Sequence, residues 1–195
     1  MDCSFLENKN TAGTLLLSGG AIWILSMIIS EAVYPGYSIN TNYISDLGTG
    51  PWPADIIFNL STAIFGIFVL TGAAILIQNG SKELFLYGLS IAGAGVLFVG
   101  IFPEDTGFPH FISAGIAFLI GSISAIAASQ RLEKPFSYFS AVMGTIGLFA
   151  LIALQVHAYG PPGPGGMERL IAYPLVLWII TYGSYILSQN TGIES

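Results

Sequence analysis

This chain predicts an all-α bundle of six membrane-spanning helices, on the strength of three observations. Only 8% of its 195 residues are charged, against 53% hydrophobic, whereas a soluble globule carries roughly a quarter charged side chains. Six apolar stretches, at 13–33, 54–77, 84–102, 108–129, 136–157 and 167–187, approach the ~20 residues that cross a hydrocarbon core about 30 Å thick. No stretch alternates as a barrel strand does, and backbone polar groups in lipid must be satisfied within their own segment, so the spans are helices. Residues 1–195 form a single membrane domain on this reading.

The first span is too long for the apolar region of a signal peptide, and no small-residue cleavage site follows it. Cys3, the only cysteine, forms no intrachain disulfide and no thiolate cluster, and it reads as an unremarkable tail residue. The loop at 34–53, YPGYSINTNYISDLGTGPWP, interleaves Tyr37, Ile39, Tyr43, Ile44 and Leu47 with polar residues. It is therefore expected to fold back as a lid over the bundle mouth. Within it Asp46 either caps a turn closed by Gly48 or points inward. The turns at 78–83 and 130–135 are short, which makes spans two and three, and spans four and five, antiparallel neighbours.

Ala117, Gly121, Ala125 and Ser129 recur every fourth residue along span four and predict a smooth stripe for close helix approach. Gly88 with Ala92, and Ser140 with Gly144, are shorter versions. Trp52 and Trp178 read as interfacial anchors, and Trp23 as core.

With six spans, Lys9, Lys82, Arg131 and Lys134 share one side with both termini, and Arg169 alone among the basic residues lies on the other. The positive-inside rule then predicts a multi-pass protein of the cell membrane with both termini cytoplasmic. The outer side holds Glu31, Asp46, Asp55, Glu104, Asp105 and Glu168, an acidic face that attracts cations.

The polar residues of three Pro- and Gly-rich outer loops are the candidates for chemistry. His110 follows Asp105 by five residues; a carboxylate beside it would fix its tautomer for acid or base work, and the alternative is a hydrogen bond to a loop carbonyl. Glu104 and Asp105 are adjacent, so on a helix or turn they diverge by about 100°. His157 ends span five. Glu168 and Arg169 open span six, where Glu168 can serve the helix dipole and Arg169 can snorkel. Arg169 is expected to pair with Asp46, Glu104, Asp105 or Glu168 as a clasp, or to contact a substrate carboxylate or phosphate. Spans three to five carry no charge in their middles, which argues against an ion pump. The chain has no P-loop, zinc-helix or nucleophile-elbow motif, and no basic stripe for nucleic acid. Its two histidines plus carboxylates could complete a zinc or other divalent site, but their spacing follows no strong metal pattern, so no metal ligand is assigned and the cofactor is left open.

The strings YPGYSINTNYISDLG and IFPED with His110 shortly after, and Gly166-Met167-Glu168-Arg169 leading into the last span, resemble a prokaryotic family of hypothetical membrane proteins, domain of unknown function 998. The resemblance covers nearly the whole chain and implies a six-span membrane domain in archaea or bacteria. It supplies no reaction.

The residues themselves suggest an outward pocket built from Asp46, Asp105, His110, His157, Glu168 and Arg169, with Glu104 beside it. It would bind a small molecule or a lipid headgroup, with membrane lipids as partners and no nucleic acid. As an enzyme it would use His110 or His157 as acid or base, Asp105 to orient the imidazole and Arg169 to hold an anionic group. The alternatives are an accessory or sensor protein whose polar loops are structural, and a small-solute transporter.

Overall fold

The protein is described from a computed structural model, covering the backbone of residues 3–190 and the side chains of residues 8–189. The reading of Cys3 concerns a side chain outside the described residues. Six helices are present: α1 (Cys3–Val33), α2 (Ala54–Gln78), α3 (Leu84–Ile101), α4 (Phe108–Ala128), α5 (Phe136–Gln155) and α6 (Gly163–Asn190). All six are long and apolar enough to cross a membrane, which makes this a multi-pass membrane protein. No strand occurs among the described residues.

Two boundaries differ from the sequence reading in ways that matter. α1 starts at Cys3, ten residues before the apolar run at Gly13, because a helix continues through polar residues that hydropathy leaves out. α6 starts at Gly163 rather than near Met167. Glu168 and Arg169 therefore lie in the second turn of the helix and not at its opening.

Consecutive helices pack as neighbours, α1 closes the ring against α6, and α4 also touches α6 across it. α5 is the outermost rod: 22% of its most apolar window is buried, against 56% for α6. The close approaches follow small residues. A Cβ on Gly66 would lie 2.2 Å from the Leu97 backbone nitrogen, so α2 and α3 meet backbone to backbone there. The stripe on α4 serves three neighbours. Ala117 lies against Gly95 of α3, Gly121 against Leu175 of α6, and Ala125 against Gly144 of α5.

Trp23 is buried, as expected, and its Nε1 donates to Thr62 Oγ1 at 3.0 Å. Trp52 is 77% exposed, in keeping with an interfacial position. Trp178 is not an interfacial anchor. It is buried in the ring and donates to Ser140 Oγ at 2.9 Å. A serine on α5 satisfies the indole N–H there, so the ring can leave the interface without an orphaned donor.

Candidate functional site

The loops at 34–53, 102–107 and 156–162 converge on one end of the ring. Asn40 Nδ2 donates to the Pro161 carbonyl at 3.0 Å, and the Tyr43 and Tyr159 hydroxyls lie 3.5 Å apart. The first loop folds back as expected, with Ile44 and Leu47 buried and a short 3-10 helix at Ser45–Thr49. Glycines on α6 make room for it. A Cβ at Gly165 would meet the Asn42 carbonyl at 2.0 Å, and one at Gly163, which has φ +69°, would meet that of Asn40 at 2.3 Å. With glycine in place, Gly165 N donates to the Asn40 carbonyl at 3.0 Å.

Arg169 latches this loop. Its Nη1 donates to the carbonyls of Ile39 and Asn42 at 3.2 Å and of Gly165 at 2.9 Å. Its Nη2 donates to Glu31 Oε1 at 2.6 Å and to the Tyr37 hydroxyl at 2.5 Å. Tyr37 in turn donates to the Tyr43 carbonyl at 2.8 Å, so its hydroxyl both accepts and donates. Burial pushes the Tyr37 phenol well up from its ordinary value, against the opposing pull of Arg169. The arginine is 5% exposed and does not snorkel. The clasp exists, but its acid is Glu31 of α1 and none of Asp46, Glu104, Asp105 or Glu168. With both terminal nitrogens saturated by protein groups, Arg169 holds the fold and is not placed to grip an anion. Sequence reasoning missed Glu31 in this role. The available signal was an acid inside the end of an apolar span, on the side with a single arginine.

Asp46 is also spent locally. Its Oδ2 accepts from Asn42 Nδ2 at 2.8 Å and from Tyr43 N at 3.0 Å, tying a turn in its own loop. This is the structural one of its two expected roles.

Beside the latch lies a cleft of about 460 Å³ in which Glu104, His110, His157 and Glu168 meet, along with Tyr43, Ser45, Gln155 and Tyr159. Glu168 is 7% exposed, and one oxygen accepts the Ile44 N–H. Glu104 lies against Ser45, Asp46 and His110, and one of its carboxyl oxygens is buried without a hydrogen-bond partner. Burial pushes its carboxyl up from the usual range, and the neighbouring Asp46 adds to the effect. The adjacent Tyr159 hydroxyl, and then burial, push Tyr43 up to about 12.

His110 Nδ1 lies 2.8 Å from the Phe102 carbonyl. A carbonyl can only accept, so Nδ1 carries a proton, and the neutral form of the ring has Nε2 as its acceptor. Asp105 does not orient this imidazole: it is exposed, and no hydrogen bond joins it to His110 among the described residues. Phe102 holds that position because the tight turn at Glu104–Thr106 brings the end of α3 over the first turn of α4. His157 lies two residues past the end of α5, exposed, with φ 57° and its ring edge-on to Tyr159.

A second, smaller cavity of about 80 Å³ lies in the centre of the ring, walled by Trp23, Phe65, Leu89, Leu175 and Trp178. Ser45, His110, Ala114, Phe118 and Glu168 line both spaces. Of the expected pocket, then, His110, His157 and Glu168 come together with Glu104, while Asp46 and Arg169 are engaged in loop structure and Asp105 lies outside. Among the described residues no three His, Cys, Asp or Glu side chains group closely enough to hold a metal ion.

No curated protein and no solved structure matches the chain. A family model described as "Protein of unknown function (DUF998)" matches residues 17–185, and the chain belongs to that family.

Proposed function

We propose that the protein binds a membrane amphiphile, with its head in the polar cleft and the first carbons of its chain reaching the central cavity. One observation carries this reading: a polar space and an apolar space share the same wall, formed by Ser45, His110, Ala114, Phe118 and Glu168. A molecule with a polar end and an apolar end fits such a pair. The cleft lies at the end of the bundle opposite Lys9, Lys82, Arg131 and Lys134, so the positive-inside rule puts the head in the outer leaflet of the cell membrane and both termini in the cytoplasm. Hydrolysis or transfer of the headgroup would use His110 Nε2 as the base that takes a proton from water or a hydroxyl.

Native mass spectrometry of the purified protein tests the binding. The wild type is expected to carry a retained lipid, and Glu168→Gln and His110→Ala are each expected to lower its occupancy about tenfold. Equal occupancy in all three proteins would overturn the reading.

The saturated Arg169 latch favours a second reading, an accessory or sensor protein in which the outer loops serve only to lock the helix ends. Under it, Arg169→Met would unfold the loop and no cleft substitution would alter any ligand.

A further inference from the structure

Gly115 lies within α4, and a Cβ added there would meet nothing within 4 Å. At every other helical glycine among the described residues, an added Cβ would meet an atom at 3.3 Å or closer. Those glycines are explained by packing; Gly115 is not. Its open space is the cleft, which it lines together with Phe111, Ala114 and Phe118. These four positions, at i, i+3, i+4 and i+7, form one face of α4. Opposite them Leu151, Leu154 and Gln155 present one face of α5, the outermost rod, which contributes nothing to the wall of the central cavity. A space between two neighbouring rods of the ring has one side toward the surrounding hydrocarbon.

The charge of the cleft selects the head. Glu104 and Glu168 line it, and no lysine or arginine does. The nearby Arg169 already gives its terminal nitrogens to Glu31, Tyr37 and three carbonyls. Two carboxyl groups and the imidazoles of His110 and His157, with no lysine or arginine among them, offer acceptors to an ammonium donor and no fixed cation to a phosphate.

We infer that the cleft is a side entrance between α4 and α5, kept open by Gly115, which admits the chain of an amphiphile bearing an ammonium head. This rests on the amphiphile reading above and adds the route and the headgroup class.

Trp23 and Trp178 wall the central cavity and are shielded from the exterior. In a Trp52→Phe background they are the only tryptophans left. Brominated long-chain alkylammonium, alkyl alcohol and alkyl phosphate probes are titrated into this protein in an uncharged maltoside micelle, and fluorescence quenching is read. The ammonium probe is expected to quench at concentrations about tenfold below those of the phosphate probe, and Gly115→Leu to raise the ammonium midpoint about tenfold or more. The side chain introduced by Gly115→Leu would fill open space in a helix, so the melting temperature is expected to be unchanged or higher.

Equal quenching of wild type and Gly115→Leu overturns the side entrance, and a preference for the phosphate probe overturns the headgroup. Either result leaves the amphiphile reading standing if the purified protein still retains a lipid that Glu168→Gln loses. Absence of quenching by all three probes, together with no retained lipid, overturns both.

Discussion

Glu168 and Arg169 are consecutive residues, each more than nine-tenths buried at the same end of the ring, yet they belong to regions built on opposite principles. On the latch side, Arg169 distributes its donors over α1, the 34–53 loop and its own helix, leaving only Nε without a partner. On the cleft side, Glu168 accepts from the backbone of Ile44 and Ser45 and borders open space, while Glu104 keeps a buried oxygen with no partner and supplies the spare acceptor. The difference teaches that burial alone does not mark a binding group. A buried charge whose hydrogen bonds close within the protein is holding the fold; one facing a cavity with capacity left over is available for a ligand.

The comparison is broken most severely by Arg169→Met. Removing one partner of a buried ion pair strands the other, and a loss of roughly 3–5 kcal/mol is expected. Chemical unfolding in detergent measures it, with protease cleavage in the 34–53 loop as the local readout. A loss below about 1 kcal/mol, the range of an exposed pair, would show that the latch does not hold the loop. Glu168→Gln is expected to fall on the other side of the comparison. The amide oxygen can still accept from Ile44 and at most the Ser45 contact is lost, so stability should fall by about 1 kcal/mol while lipid retention falls. Matched losses of stability and retention would place Glu168 with the latch.

The smallest effect is a pH dependence. Glu104 titrates above its ordinary 4.5 in the folded protein, so the folded state binds more protons than the unfolded state in the interval above that value. Stability contributed by the protonated carboxyl is therefore present at low pH and lost as pH rises through the folded-state value. Melting temperatures of wild type and Glu104→Gln should separate as pH increases from 4.5, with the wild type declining relative to the variant. Parallel curves would remove the carboxyl from a desolvated site.

The small-residue stripe on α4, the six spans and the folded-back loop were legible because each is written in consecutive residues. His110, His157, Glu104 and Glu168 were legible as rare polar residues at one end of the bundle. Three details were not. Glu31 and Arg169 are 138 positions apart, and several outer acids were equally good partners on paper. A hydrogen bond from His110 to a loop carbonyl was one of its two expected roles and is the one found, but which carbonyl, that of Phe102, leaves no trace in side-chain identity. Gly115 looked like any other glycine on a packed helix, and only the position of α5 made it the helical glycine, among the described residues, that faces empty space.

By itself the sequence determined that this chain lies in a membrane as six helices and that its scarce charges gather near the helix ends. Transfer of apolar side chains out of water and the satisfaction of backbone hydrogen bonds act segment by segment and need no knowledge of neighbours. Only the tertiary structure decided which charge is consumed and which is left over. That depends on the start of α6 at Gly163, which carries both residues into the second turn of the helix, and on the loop backbone packed over Gly163 and Gly165. Hydrogen bonds act over about 3 Å, so a one-turn difference in where a helix begins decides which partners each of these side chains can reach.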